Sequence, residues 1–271
     1  MNDKKPPVVM IFAGSDPTGG AGLVADIQSV TALGCHPAPV VTAVTAQDTL
    51  ELKKFVAVDT ELVIEQARAV LEDMPVAAFK TGMLGNAANL SAVATIIEDY
   101  PDIPLVVDPV LSTGGGDPLS EEPLEDGYRS MLFPLATLVT PNAIEAKQLA
   151  PEADSREACV QKLMSLGCEY VLHTGSHEPT ENVVHYLYGH RRFMQSFPQE
   201  RLPGEYHGSG CTLASACAGA LAQGFDITTA VREALQFTWN SLASSQQIGM
   251  GQKLPQRQYW ADGGSSVRRK T

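Results

Sequence analysis

Paired cysteines, long apolar runs and positive charge are all scarce in this sequence. Its five cysteines include no CxxC pair and are odd in number. This argues against a disulfide framework or a structural zinc site and favours a reducing compartment. No apolar stretch is long enough to predict a transmembrane helix. The first apolar run begins at Val8 and soon reaches a glycine, which makes it too short for a signal-peptide core. We therefore expect a cytoplasmic protein.

Acidic residues outnumber basic ones, 31 against 19, and the formal net charge is -12. Such a charge argues against a nucleic-acid backbone or an anionic membrane as a partner. If the ligand carries phosphates, they must be neutralised locally, and bound metal and backbone N–H groups are the natural means.

The length and composition suit one large α/β domain, because 271 residues with 44% hydrophobic content can fill a sizeable core. No internal repeat or linker is visible. We expect a single domain over residues 1–271, in which 1–7 and about 250–271 are flexible.

Short apolar runs alternate with helical patterns along the chain. The runs predict strands at 8–13, 40–45, 76–83, 104–110, 138–140 and 170–173. Apolar spacings of three and four predict helices at 21–33, 61–71, 87–97, 143–149, 155–166, 211–222 and 228–246. This alternation indicates an α/β fold with a central, mostly parallel sheet covered by helices on both faces. Two runs of alternating polarity, 182–187 and 192–197, predict a small antiparallel hairpin at the sheet edge.

The most informative motif is His-Gly-Ser-Gly-Cys-Thr at residues 207–212. Gly208 and Gly210, on either side of Ser209, allow a sharp turn that directs successive N–H groups at one point, and a helix follows. Those N–H groups and the helix dipole predict an anion site suited to a phosphoryl group in transfer. Cys211, in the first helical turn, is expected to have a lowered pKa. The alternative is a glycine-rich helix start that holds an inert, buried cysteine.

Three polar residues follow predicted strands at the end where open α/β sheets bind ligands. Asp108 ends an apolar strand before a proline, where its carboxylate could serve a metal or phosphates. Glu145 lies one turn into the helix that Asn142 caps, where it could hold Mg²⁺ through water. The ordinary alternatives are a turn-starting aspartate and a first-turn glutamate stabilised by the helix dipole.

The glycine-rich loop from Gly14 to Gly22 matches neither a P-loop nor a dinucleotide-binding motif. No Lys-Ser/Thr pair follows its glycines, and their spacing is not GxGxxG. Glycines at such a turn favour the close approach of a small ring to the backbone.

Six blocks stand in a fixed order between about Val8 and about Gln246. They read AGSDP with GGAG and AD (13–26), TAVTAQDT (42–49), KTGML (80–84), VVDPV (106–110), TPN with Glu145 (140–145) and HGSGCT (207–212). In this combination the chain resembles the hydroxymethylpyrimidine/phosphomethylpyrimidine kinases of thiamine synthesis, which belong to the ribokinase-like superfamily.

The resemblance implies a ribokinase-like kinase that uses ATP and Mg²⁺ and forms a homodimer. It implies that Gln47 hydrogen-bonds the aminopyrimidine ring, because an amide offers a donor and an acceptor side by side. It also implies further substrate-binding positions at Gly14, Ala21, Asp26, Met83 and Val110. Nucleotide-binding positions are implied at Lys80, Asn142, Thr174 and Gly175, and metal and phosphate positions at Asp108 and Glu145.

For catalysis, the resemblance implies that Cys211 and the turn formed by Gly208, Ser209 and Gly210 face the attacking hydroxymethyl oxygen. Many ribokinase relatives have aspartate at the position of Cys211, and aspartate is a plausible general base. A cysteine acts in this way only if its thiolate is populated.

The chain departs from the family pattern at two places. Thr174-Gly175-Ser176-His177 stands where the family often has Lys-Gly-Gly-His, and Gly114-Gly115 stands where it often has Lys-Ser. Both changes remove a lysine from the neighbourhood of the nucleotide phosphates.

Two other functions compete with the pyrimidine kinase. A pyridoxal or pyridoxine kinase would use the same fold on a similar hydroxymethylated ring, although Gln47 and the short Gly14–Gly22 loop favour the pyrimidine. A non-catalytic sensor of the pyrimidine phosphate is the other, suggested by the two missing lysines. Asp108, Glu145 and the loop that holds Cys211 argue against it.

Overall fold

The computed structural model describes residues 5–112, 119–120, 122–175 and 181–263. They form one nine-stranded sheet with the order β3-β2-β1-β4-β5-β6-β7-β8-β9. The strands are β1 (Val8–Ser15), β2 (His36–Gln47), β3 (Leu52–Ala57), β4 (Val76–Thr81), β5 (Leu105–Val107), β6 (Leu138–Val139), β7 (Tyr170–His173), β8 (Asn182–Gly189) and β9 (Arg192–Glu200). The strands from β2 to β7 in this order are parallel, whereas β3 and β8 pair antiparallel with their neighbours.

Helices cover both faces of the sheet, as the alternating pattern predicted. They are α1 (Gly22–Ala32), α2 (Thr60–Asp73), α3 (Ala87–Glu98), the single turn α4 (Glu125–Gly127), α5 (Ala143–Leu149), α6 (Arg156–Ser165), α7 (Ser209–Ala222) and α8 (Ile227–Ala243). The core is in two layers: Leu213 of α7 and Val231 of α8 pack on one face, and Val63 of α2 and Leu90 of α3 on the other. Among the described residues, no helix has both the length and the apolar character needed to cross a bilayer.

The antiparallel hairpin at the sheet edge is confirmed as β8 and β9. Its two-residue turn, His190-Arg191, has positive φ at both positions, 51° and 59°. This is the turn geometry that matches the twist of a hairpin.

The sequence did not predict strand β3, which pairs antiparallel with the end of β2. Lys53, Lys54 and Val56 on this strand are all exposed. An edge strand with an open face has no continuous apolar run, so it does not produce the pattern of the buried strands.

Part of the segment predicted to be flexible is instead packed against the domain. Arg257 is only 1% exposed. The Gln256 N–H donates to Ser241 O at the end of α8 (2.9 Å), and the His207 N–H donates to Lys253 O (3.0 Å). Buried hydrogen bonds, rather than an apolar pattern, hold this part of the polar segment in place. Residues 264–271 lie outside the described part of the chain.

Candidate active site

The predicted site residues lie at one edge of the sheet because the parallel strands all end there. Loops follow β1 at Ser15, β2 at Gln47, β4 at Thr81 and β5 at Val107. The N-terminus of α7 packs against the first of these loops. This edge is where open α/β sheets bind their ligands.

The start of α7 has the backbone form expected of an anion site. Gly208 is the N-cap and has a left-handed φ of 76°. A Cβ atom at Gly208 would lie 2.0 Å from Gly20 O, so the two glycine loops touch where only glycine fits. The helix begins at Ser209, two residues before the predicted start, and its first N–H groups have no partner within the helix. These donors can therefore receive an anion.

Asp16 and His207 join the two glycine loops, a role that the motifs alone did not reveal. Asp16 is 2% exposed. Its Oδ2 accepts hydrogen bonds from the Ala21 N–H (2.8 Å) and Thr18 Oγ1 (2.9 Å), and lies 2.9 Å from His207 Nε2. Burial alone would raise the pKa of Asp16, but the hydrogen bonds from His207, Thr18 and Ala21 lower it below its ordinary value. Two sequence features could have indicated this contact: the Asp16-Pro17 pair inside the first glycine loop and the histidine at the start of the 207–212 motif.

Asp26 and Lys80, which the resemblance assigned to substrate and nucleotide, form a buried ion pair beneath the site. Both side chains are 0% exposed, and Lys80 Nζ lies 2.9 and 3.0 Å from the two Asp26 carboxylate oxygens. Ser215 Oγ donates to Asp26 Oδ1 at 2.7 Å. Burial would lower the pKa of Lys80, but Asp26, Cys211 and Asp108 raise it above its ordinary value. The ammonium therefore stays charged, although its side chain is fully buried.

Cys211 and Asp108 face each other where α7 meets the end of β5. Asp108 is 4% exposed, and the half-buried thiol of Cys211 is close enough to favour its ionised form and so to lower its pKa. A Cβ atom at Gly210 would lie 3.9 Å from Asp108 Oδ1, so the turn Gly208–Cys211, called the anion turn below, is also close to this carboxylate.

The expectation of a lowered cysteine pKa was wrong. Burial raises the pKa of the Cys211 thiol to about 12; Lys80 opposes this rise, and the carboxylates of Asp108 and Asp26 add to it. Burial also raises the pKa of Asp108 to about 6, against the opposing charge of Lys80. At neutral pH the thiol is protonated, and Asp108 is the better proton acceptor of the two.

Glu145 and Asn142 start α5 as a capping box. Asn142 Oδ1 accepts from the Glu145 N–H, and Glu145 Oε2 accepts from the Asn142 N–H, both at 2.9 Å. The capping role is therefore real, but Glu145 is also 8% exposed and lies in the field of Asp108. Burial, and then the Asp108 charge, raise the pKa of Glu145 to about 8. Two buried carboxylates that resist ionisation side by side are a donor set that fits a hard divalent cation such as Mg²⁺.

Gln47 lines a cavity of about 350 Å³ at the end of β2. The other lining residues are Pro17, Thr18, Asp48, Thr49, Leu50, Gly249 and Met250. The remaining predicted ring-pocket positions lie closer to the sheet. Gly14 contacts Met83, because a Cβ atom there would lie 3.1 Å from Met83 Sδ. Ala21 caps α1, and Val110 follows the Asp108-Pro109 strand end. Thr18 connects the cavity to the anion turn through Asp16 and His207.

The predicted nucleotide-binding residues Asn142, Thr174 and Gly175 meet beyond β6 and β7. Thr174 forms an isolated parallel bridge with Asn142, and its N–H donates to Pro141 O at 3.0 Å. A Cβ atom at Gly175 would lie 2.1 Å from Val184 O, so glycine is required there. The departures at Gly114, Gly115, Ser176 and His177 lie outside the described residues.

A mostly parallel open sheet and a glycine turn that starts a helix at the ligand edge, with the Asp108 carboxylate close to that turn, are typical of a ribokinase-like phosphotransferase. Comparisons with known proteins then make the family specific. Residues 16–256 match the family model described as phosphomethylpyrimidine kinase. The chain belongs to this family and is a kinase of thiamine biosynthesis.

Three relatives illustrate the likeness. A hydroxymethylpyrimidine/phosphomethylpyrimidine kinase of Mycobacterium bovis is 40% identical over 253 residues, which cover 91% of this chain and 92% of that protein. A thiamine biosynthesis bifunctional protein of Geobacter sulfurreducens is 38% identical over 90% of this chain and 50% of its own length. In structure, an ADP complex of Bacillus subtilis pyridoxal kinase superposes with a TM-score of 0.85 at 25% identity, covering 95% of this chain and 99% of that one.

Proposed function

We propose that the enzyme transfers the γ-phosphoryl group of ATP to 4-amino-5-hydroxymethyl-2-methylpyrimidine and then to its monophosphate. The choice of acceptor rests on the position and the unpaired amide of Gln47. Its amide lies in the 350 Å³ cavity and makes no hydrogen bond to another described residue. A free donor and acceptor side by side match the edge of an aminopyrimidine. The contact chain from Thr18 through Asp16 to His207 links this cavity to the anion turn.

In the proposed reaction, the hydroxymethyl oxygen attacks the γ-phosphorus as the bond to the ADP oxygen breaks. The N–H groups at the start of α7 stabilise the charge on the equatorial oxygens. The hydroxyl proton passes to the Cys211 sulfur while the thiol proton passes to Asp108. This route suits the closeness of the thiol to the carboxylate and the two pKa values, about 12 and about 6.

Glu145 would hold Mg²⁺ through water, with the charge of Asp108 nearby, which leaves the Asp108 carboxylate able to accept the proton. When bound, the cation would supply neutralising charge at the phosphates, which this acidic chain needs because two lysines of the family pattern are missing. The neighbouring Asn142, Thr174 and Gly175 would carry the nucleotide.

Pyridoxal kinase is the second candidate, favoured by the structural superposition on the Bacillus subtilis enzyme. The test is to measure ADP release in parallel with hydroxymethylpyrimidine, its monophosphate and pyridoxal. A kcat/KM for the pyrimidine well above that for pyridoxal supports the proposal, and the reverse order assigns the enzyme to pyridoxal. If the protein binds the pyrimidine phosphate but releases no ADP with any of the three acceptors, the non-catalytic sensor is the remaining function.

Replacing Gln47 by alanine should raise the KM for the pyrimidine about tenfold, because leaving the bound ring without its hydrogen-bonding partner costs about 1–3 kcal/mol. The KM for ATP should not change. Steady-state kinetics with each substrate varied in turn measures both constants. Gln236→Ala removes an exposed glutamine of α8 and serves as the control. An unchanged pyrimidine KM in Gln47→Ala would remove Gln47 from the site.

The Mg²⁺ concentration needed for the half-maximal rate should fall several-fold as the pH rises through about 8, because Glu145 must lose its proton before it can serve a cation. Its raised pKa means that the proton competes below that pH and no longer competes above it. Glu145→Gln should need more Mg²⁺ than the parent above that pH, should approach the parent below it, and should lose this dependence.

The measurement is a Mg²⁺ titration of the rate at fixed ATP across this pH range. Glu61→Gln, which neutralises an exposed first-turn acid of α2, is the matched control. If the titrations of Glu145→Gln and the parent superimpose, Glu145 only caps α5.

We further propose a homodimer in the cytosol. Val44 and Val56 support the dimer, since they face each other across the β2–β3 edge and are 53% and 59% exposed. Sedimentation analysis measures the oligomeric state directly.

A further inference from the structure

Arg257 is the largest fully buried side chain among the described residues, yet it comes from the polar segment that follows α8. Gln256, which precedes it, is tied to Ser241 of α8 through a backbone hydrogen bond of 2.9 Å. The arginine thus enters the domain from a fixed point on α8. Burying so polar a group requires that its donors be satisfied.

The guanidinium donates hydrogen bonds to both of the loops that form the anion site. Arg257 Nη1 donates to Gly19 O (3.3 Å), and Nη2 donates to Gly20 O. Arg257 Nε donates to Thr212 Oγ1 in the first turns of α7 (2.9 Å). One further bond, to Gln28 Oε1 (3.2 Å), reaches α1. A planar fork with fixed donor directions is well suited to holding several acceptors in one geometry.

These contacts bear directly on the N-cap of α7. Gly20 O, held by Arg257, is the atom that would lie 2.0 Å from a Cβ at Gly208. Thr212 Oγ1, also held by Arg257, donates to Gly208 O at 2.7 Å. The N-cap is therefore clamped between two groups whose positions the guanidinium sets.

Among the described residues, Arg257 forms no ion pair. Its hydrogen-bond partners among the described residues are carbonyl, amide and hydroxyl oxygens, none of them a carboxylate. Three acidic groups around the site, Cys211, Asp26 and Asp16, raise the pKa of Arg257 without a hydrogen bond to it. Burial lowers the pKa of Arg257 to about 10, which leaves it protonated at neutral pH. A buried cation behind the helix start adds to the positive potential that the N–H groups provide.

We propose that Arg257 is a positioning residue for phosphoryl transfer, which holds the N–H groups at the start of α7 in line and supplies positive charge behind them. The inference rests on the proposed kinase function and deepens it. Arg257 would also supply one cation near the anion site, in a chain that lacks two lysines of the family pattern.

The test is the kinetics of Arg257→Ala with chemical rescue. The variant should lose about tenfold in kcat with little change in either KM, because misaligned donors act on the transition state and not on substrate binding. Guanidinium, added far below the concentration that unfolds the protein, should restore much of the rate. Urea, which is similar in shape but neutral, should not.

Arg129→Ala is the matched control, because Arg129 also donates to backbone carbonyls, those of Gln148 and Leu149, but away from the anion turn. It should keep the parent kcat. An unchanged kcat in Arg257→Ala, or equal rescue by urea, would overturn the proposal. If Arg257→Ala does not fold, Arg257→Lys decides. It keeps the charge and loses the fork, so it should lower kcat at an unchanged thermal midpoint, and a parental kcat would contradict the proposal.

Amide hydrogen exchange separates this inference from the proposed function. In Arg257→Ala, exchange should rise in peptides that cover 17–22 and 207–212, compared with the rest of the chain. This readout needs no turnover. If the parent enzyme phosphorylates no acceptor, the proposed kinase function is refuted, and the exchange result still tests whether Arg257 holds the two loops. If exchange does not change in Arg257→Ala, only the positioning role of Arg257 is refuted.

Discussion

Replacing Gly208 by alanine should lower kcat by about 10³-fold, since removing even one donor of an anion hole costs about 10²–10³-fold. Gly208 has a φ of 76°, which is unfavourable for alanine. The added methyl would also lie 2.0 Å from Gly20 O, a backbone atom that Arg257 holds in place. The turn must therefore move, and every N–H group that it directs moves with it.

Gly224→Ala is the matched control for this prediction. Gly224 lies just past the other end of α7, has a φ of 86°, and a Cβ atom there would meet nothing within 4 Å. It carries the same backbone strain without the collision, so it should cost about 1 kcal/mol of stability and leave kcat unchanged. Thermal unfolding and saturating kinetics on both variants make the comparison. A parental kcat in Gly208→Ala would show that the turn does not form the anion site.

The parts of the site that could be predicted are those where local sequence and sheet topology agree. Asp108 and Asn142 end apolar runs, and parallel strands bring such ends to one edge. The 207–212 motif combines glycines with a following helix, so its backbone form is encoded locally. Strands buried on both faces and helices with clear periodicity were predicted within a few residues of their bounds.

The parts that could not be predicted depend on partners distant in the sequence. Lys80 and Asp26 stand in family motifs, but a motif does not tell whether a charged side chain meets a ligand or another side chain. Here they pair with each other across 54 positions. Arg257 lies in a polar stretch without periodicity, and its acceptors are oxygens at distant positions such as Gly20 and Thr212. No composition argument identifies such contacts.

The error in the pKa of Cys211 has the same origin. A cysteine in the first turn of a helix feels the helix dipole, which favours the thiolate. The folded chain adds burial and the charges of Asp108 and Asp26, which outweigh that effect and the contribution of Lys80. Only the tertiary arrangement reveals the balance, and it changes the chemical role from a ready thiolate to a thiol that passes a proton to a carboxylate.

Replacing Cys211 by alanine should lower the rate of phosphoryl transfer by about 10²-fold, the lower end of the range for general-base assistance. The transition state of phosphoryl transfer is loose, so positioning and charge stabilisation by the Gly208–Cys211 turn should contribute more than proton removal. Neither KM should change much. Cys211→Ser should be intermediate, because a hydroxyl can still pass a proton to Asp108.

The rate through Cys211 should also rise as the pH passes about 6, because the raised pKa of Asp108 means that its carboxylate accepts the proton only above that value. Single-turnover kinetics across this pH range separates the chemical step from product release. Cys217→Ala, which removes a fully buried thiol from the same helix, controls for the loss of packing. A Cys211→Ala rate equal to the parent's would show that the thiol only fills space and that the anion turn alone carries the reaction. A parental pH profile in Cys211→Ala, at a lower rate, would instead show that Asp108 takes the proton without the thiol.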